Sequence, residues 1–179
     1  YDHIFNQGNN RQNIFFEPRN YSYFLGLLKK YITPIAEVYA YCLLPNHFHL
    51  LVRINDECTV PQGAQAFSNL FNAYAKGINK AYQRTGSLIK RKFSRIKIES
   101  EAYLKKLVLY IHTNAQHHNI VDDFKTYPHS SYNIYFSQLH TNISRVFMLN
   151  LFDSLDNFSV CHSIKSTQID EKLNQFLLE

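Results

Sequence analysis

The chain has 179 residues, 45% hydrophobic, 15% aromatic and 18% charged, which supports one globular domain with a sizeable core and excludes a disordered or fibrous chain. Nineteen Lys and Arg against 14 Asp and Glu leave a net charge of +5, which favours polyanionic partners. The three cysteines, Cys42, Cys58 and Cys161, form no CxxC pair, and no apolar run approaches ~18 residues, so a reduced, cytoplasmic protein without a membrane span is expected. No basic-then-apolar leader opens the chain, and it starts at Tyr1 rather than at a methionine, so upstream sequence is expected.

Residues 1–6, YDHIFN, read as a short strand that runs into a turn at Gly8-Asn9-Asn10. Residues 17–32 read as a helix. Pro18 suits a first helical position, where no N–H is needed, and Tyr21, Phe24, Leu25, Leu28 and Ile32 recur at helical spacing. Pro34 stops it. Residues 35–44 are rich in β-formers, Pro45-Asn46 makes a turn, and residues 47–54, HFHLLVRI, return as the second strand of a hairpin. After a polar break at 55–59, residues 65–84 carry Phe67, Leu70, Phe71, Tyr74, Ile78 and Tyr82 along one side, and Thr85-Gly86-Ser87 ends that helix. Residues 90–98, KRKFSRIKI, alternate as a strand, and residues 100–116 form a third helix with Ser100 as its N-cap.

The order β-α-β-β-α-β, then a helix, is ferredoxin-like: an α+β fold with one four-stranded antiparallel sheet and two helices on one face. The other face is left for the third helix or a ligand. From residue 127 on, Pro, Ser and short helical stretches read as a small appendage. The chain therefore divides into residues 1–126 and a C-terminal helical extension, 127–179, packed on them.

Several residues could carry chemistry. Successive side chains of a strand face opposite ways, so His47, His49 and Leu51 share one face. Two adjacent imidazoles point to a metal, to a shared phosphate or to satisfied packing. Two ligands are too few for a metal, and an Asn or Gln oxygen or a carboxylate would complete a site for a hard cation such as Mg²⁺ or Mn²⁺. On the third helix Leu104, Leu107, Val108 and Ile111 form the core stripe, and Tyr110 and Asn114 lie one above the other at its flank. That position predicts a half-exposed Tyr110 with its hydroxyl available. From Thr59 to Ile98 there is no Asp or Glu, yet Lys76, Lys80, Arg84, Lys90, Arg91, Lys92, Arg95 and Lys97 fall there, interleaved with Tyr82 and Phe93. Cations for phosphates and aromatics for bases are the means of binding single-stranded nucleic acid. In the turn at residues 8–12, GNNRQ, Asn10 suits base edges and Arg11 a phosphate or guanine; the plain alternative is a solvated turn.

With these residues in view, the chain resembles the single-tyrosine HUH transposases, and within them the REP-associated tyrosine transposase-like branch. The resemblance covers most of the chain and rests on NQGNNRQNIFF, YCLLPNHFHLLVR, GSLIKRKFSRIKI, YIHTN and YPHSSY, in that order. It implies that His47 and His49 bind a divalent metal, that Asn114 supplies the third ligand, and that Tyr110 is the nucleophile. The implied function is a metal-dependent single-strand DNA endonuclease and strand transferase that forms a 5′-phosphotyrosine at hairpin-associated sites and leaves a 3′-OH. Its partner would be single-stranded or hairpin DNA near the nucleoid, bound by a monomer or a homodimer. Neutral imidazoles hold metal better than protonated ones, so activity should fall in acid.

The chain departs from the family pattern after Asn114, where Ala115 replaces an expected Pro and His112, His117 and His118 crowd the helix end. His117 and His118 either touch a phosphate or are solvated and cap the helix C-terminus. Two other readings stand beside this one: a domesticated hairpin-binding protein that does not cut, and a phosphodiesterase acting on small nucleotides through water.

Overall fold

The computed structural model describes residues 1–166; the last part of the expected extension, 167–179, lies outside the described residues. Strand β1, Asp2–Gln7, is followed by helix α1, Pro18–Tyr31, and by the hairpin β2, Ala36–Leu44, and β3, His47–Ile54. Helix α2, Val60–Ala81, strand β4, Ser94–Lys97, and helix α3, Glu101–His117, complete the expected order. Two further helices follow, α4, Arg145–Leu151, and α5, Leu155–Ser166. The strands form one sheet in the order β2-β3-β1-β4 with every pairing antiparallel, so the ferredoxin-like arrangement is observed.

Local chemistry sets the helix ends. Pro18 opens α1, where Glu17 and Asn20 cap each other reciprocally, and Ser100 accepts a hydrogen bond from the Tyr103 N–H at the start of α3. Helix α2 begins five residues before the expected start. Thr59 and Gln62 form a capping box there, and Pro61 sits in the first turn, so the stretch read as a polar break already winds the helix. Strand β4 is shorter than expected at its start, because Phe93 leaves the ladder to pack on Phe67 and Phe71 at ring-centroid distances of 5.6 and 5.4 Å.

The two faces of the sheet are covered differently. Phe48 points to α1 and α2, with Phe24 and Phe71 at 5.1 and 5.3 Å. Gly77 allows that pair of helices to approach, since a Cβ there would lie 2.5 Å from the Tyr23 hydroxyl. The opposite face carries His3, Phe5 and His49 and lies under α3. The outer edge of β2 is not left bare. The Leu43 N–H donates to the His129 carbonyl, the Ser131 N–H to Tyr41 and the Ser144 N–H to Val38, at 2.9–3.0 Å, which removes an edge that could pair with another chain.

Candidate active site

Register brings the site together. His49 lies opposite Phe5 of β1 and Cys42 of β2, so its ring rises from the middle of the sheet toward α3. His47, two residues earlier on the same face, stands near the strand end with its ring 5.2 Å from that of His49. Above them the Tyr110 ring lies 5.5 Å from His49, edge to face. Asn114, one helical turn further, is fully buried, and its Oδ1 and Nδ2 have no hydrogen-bond partner. It sits close enough to His47 and Tyr110 to influence the proton affinity of both, although neither contact has hydrogen-bond geometry. The residues singled out as nucleophile and metal ligands thus meet in one chain.

The imidazoles are held by partners that the sequence did not reveal. His47 Nδ1 lies 2.7 Å from Asn46 Oδ1. The amide oxygen only accepts, so Nδ1 carries the proton and Nε2 presents its lone pair. His49 Nδ1 lies 3.0 Å from Nε2 of His3, which is 1% exposed. With His49 as donor, the His49 Nε2 lone pair is available in the same way. Burial, more than any neighbouring charge, pushes His3 down to about 3, His47 to about 4 and His49 well below the ordinary imidazole value. All three are neutral, the state that binds metal.

Among the described residues no group of three or more His, Cys, Asp and Glu side chains is arranged to hold a metal ion. Two imidazoles and an amide oxygen are a different set, and they fit a divalent cation. The orphaned Asn114 oxygen is a buried acceptor in need of a partner, and an unsatisfied group of this kind costs on the order of 1–3 kcal/mol. Each histidine also has its second nitrogen tied by a neighbour, as metal-bound imidazoles do.

Tyr110 differs from expectation. It is 3% exposed rather than half-exposed, because α3 lays it on the sheet over His49, with His117 and Asn114 beside it. Burial raises its hydroxyl above the ordinary phenol value. His118 is exposed at the helix end, as expected. Its ring lies 4.8 Å from His47, on the wall of the site cavity. His112 turns away to the other side of α3 and is fully buried, with Nδ1 2.8 Å from His162 Nε2 and Nε2 2.7 Å from Ser131 Oγ.

A cavity of about 280 Å³ opens over the histidines. Of the predicted cations, Arg11, Lys90 and Lys92 share its walls with His47 and His49. The turn and the basic loop are tied together. Gln12 donates to the carbonyls of Ser87 and Leu88, both at 3.0 Å, and accepts from Arg84 at 2.7 Å. Asn10 sits exposed at the tip of that turn, where Asn10 and Arg11 both adopt left-handed backbone, with φ of 54° and 59°. Such a conformation costs energy in a residue other than glycine and is common at binding sites.

The other cations fall elsewhere. Arg91 lines a second groove, Lys76 and Lys80 are exposed on α2, and Lys97 stands 3.8 Å from Glu99. Arg95 forms a two-point ion pair with buried Asp2 at 2.7 and 3.2 Å. Of the two aromatics expected to receive bases, Tyr82 is engaged with Phe16, Glu17 and Asn20 instead.

His3 and Asn46 were the functional neighbours that sequence reasoning missed. Alternation along HIFNQ puts His3, Phe5 and Gln7 on one face, which was visible, but the register that sets β1 beside β3 was not.

No protein-family model matches the chain, and no curated protein matches it. Among solved structures, a REP-associated tyrosine transposase bound to a REP hairpin is similar with a TM-score of 0.61, at 16% identity, over 79% of this chain and 81% of that one. A candidate transposase from Deinococcus radiodurans is similar with a TM-score of 0.45, at 16% identity, over 59% of this chain and 84% of that one, too loose a match to argue from. The chain therefore has the α+β fold of a tyrosine transposase, and at this identity the likeness speaks for the fold alone. Among the described residues no helix is long and apolar enough to cross a membrane.

Proposed function

We propose that the protein is a tyrosine HUH transposase-like nuclease that cuts and rejoins single-stranded DNA beside a hairpin. The observation that carries this reading is the meeting of His47, His49, Asn114 and Tyr110 beside a cavity walled by Arg11, Lys90 and Lys92. The fold it shares with a transposase bound to a REP hairpin agrees with it.

Arg11, Lys90 and Lys92 would hold the DNA backbone across the cavity, with its anionic oxygens toward the histidines. His47, His49 and the Asn114 oxygen would hold a divalent cation, Mg²⁺ or Mn²⁺, which supplies charge stabilisation at a phosphate oxygen. His3 and Asn46 would keep the two imidazoles in the ligating tautomer. The Tyr110 oxygen would attack phosphorus and expel the 3′-oxygen. The 5′-phosphotyrosine conserves the phosphodiester energy for rejoining, where attack by water would lose it. Because Tyr110 is buried and off the cavity wall, α3 or its cover must open locally before the phenol reaches the phosphate. The same burial is the one observation favouring a hairpin-binding protein that does not cut.

A covalent-adduct assay separates the two. Labelled hairpin DNAs from the neighbourhood of the gene are incubated with the protein and Mn²⁺ and run on a denaturing gel. A protein-linked band that Tyr110→Phe and His49→Ala both remove supports the nuclease. Tight binding with no band supports the binding protein.

A further inference from the structure

We infer that the groove between α2 and residues 86–93 is a second nucleic-acid subsite that takes unpaired bases next to the cut phosphate. This inference rests on the proposed function and adds a base-binding role that the catalytic cluster does not supply.

The groove is the larger cavity, about 690 Å³, within the size range of small-ligand clefts. Its α2 wall is a stripe of Ala64, Gln65, Ser68, Asn72 and Ala75, which recur at helical spacing, with Pro61 and Phe71 beside them. A helix face turned to solvent normally carries charge, but this wall holds none: its side chains are small, amide or apolar. Opposite stand Lys90, Arg91 and Lys92, with no carboxylate anywhere in the lining. That combination matches one kind of ligand. Amides can both donate to and accept from base edges, and consecutive cations fit the phosphates between them. The amides are already oriented, since Gln65 donates to Asn69 Oδ1 at 2.8 Å and Asn72 to Ser68 Oγ at 3.4 Å.

Position supplies the second argument. Lys90 and Lys92 line both this groove and the cavity over the histidines. Residues 90–92 are therefore a ridge shared by the two sites. A strand whose phosphate lies in the cavity crosses that ridge and continues into the groove, with its backbone on the lysines and its bases toward α2. Phe93, half-buried on the groove wall, offers an aromatic edge there.

The test measures binding without cleavage, in EDTA, by fluorescence anisotropy on the intact protein. Two probes are compared: a labelled pool of single-stranded 12-nucleotide DNAs of mixed sequence, and an abasic strand of the same length. The native protein should bind the base-bearing pool about tenfold more tightly than the abasic strand. The double substitution Gln65→Ala/Asn72→Ala should bring the pool down to the abasic level and leave abasic binding unchanged. Lys92→Ala should weaken both alike. Thermal melting confirms that each variant folds, and all three substituted positions are at the surface. Equal binding of the two probes by the native protein, or no effect of the double substitution, overturns the inference. Either result leaves the adduct chemistry standing, because that is read separately on the gel. Loss of binding to both probes by the native protein would overturn the inference and the nucleic-acid reading together.

Discussion

On the α1–α2 face of the sheet, Phe48 is buried among Phe24, Phe71 and other apolar side chains. On the α3 face, His3, His49, Tyr110 and Asn114 are buried just as deeply, between 0% and 3% exposed. Hydrocarbon burial is favourable in itself, by about 25 cal/mol for each Å² removed from water. Burial of imidazole, phenol and amide is not, unless each finds a partner. The first face therefore accounts for stability, and the second carries the proposed site. The α3 face also holds two histidine pairs of different character. His112–His162 is closed at both ends, because His162 donates to the Phe158 carbonyl and His112 contacts Ser131. His3–His49 is joined only by the bond between its two rings and leads to an unpartnered amide and a cavity. An open polar cluster in an otherwise satisfied interior is a better pointer to chemistry than polarity alone.

The contrast can be broken at either face. Tyr110→Phe keeps the ring, so folding should be retained, but adduct formation should fall by roughly a thousandfold or more in single-turnover assays. Phe48→Ala should destabilise the protein by about 3–5 kcal/mol in urea unfolding, with Mn²⁺ affinity of the folded fraction unchanged. A substitution on the apolar face that altered metal affinity without altering stability would undo the division of labour.

The closed pair predicts a dependence on pH. Burial pushes His162 down to about 4, against about 6.5 in an unfolded chain. Between those values the unfolded chain takes up a proton that the folded one refuses. Stability from this group is therefore complete above about pH 6.5 and lost as the pH falls toward 4, by about 3 kcal/mol at most. Urea midpoints at pH 7, 5.5 and 4.5 should fall in that order, and His162→Gln should make the fall shallower, the remainder coming from the other buried histidines.

The open pair predicts a smaller effect. His3→Ala should lower Mn²⁺ affinity by about 10- to 100-fold in calorimetric titration, since the ring orients His49 without ligating. An unchanged affinity would make His3 a packing residue. Smallest of all, Lys76→Ala should weaken DNA binding less than Lys92→Ala does, because Lys76 lines neither the cavity nor the groove.

Much of the first face was legible from the chain alone. Period-3.6 apolar stripes marked α1, α2 and α3, because a single face of each helix has to be buried, and alternation marked β4. His47, His49, Tyr110 and Asn114 were singled out from spacing and from resemblance to the HUH transposases, and the fold brings them together. What was not legible depended on which segments meet. His3 lies beside His49 through the β1–β3 register, and Tyr110 is covered because α3 lays it on the sheet over His49, which no local pattern encodes. Tyr82 and Arg95 read as ligand-binding residues because their partners, Glu17 and Asp2, are 65 and 93 residues away in sequence. Charge runs show where cations are available; only tertiary contacts show which are already used.

The most direct test of the account is peptide mapping of the trapped DNA complex. After reaction with labelled hairpin DNA and Mn²⁺, the protein is digested and the nucleotide-bearing peptide is sequenced by mass spectrometry. The account predicts the nucleotide on Tyr110, joined through a 5′-phosphate. A nucleotide on any other tyrosine, or cleaved DNA with no covalent peptide, would contradict it.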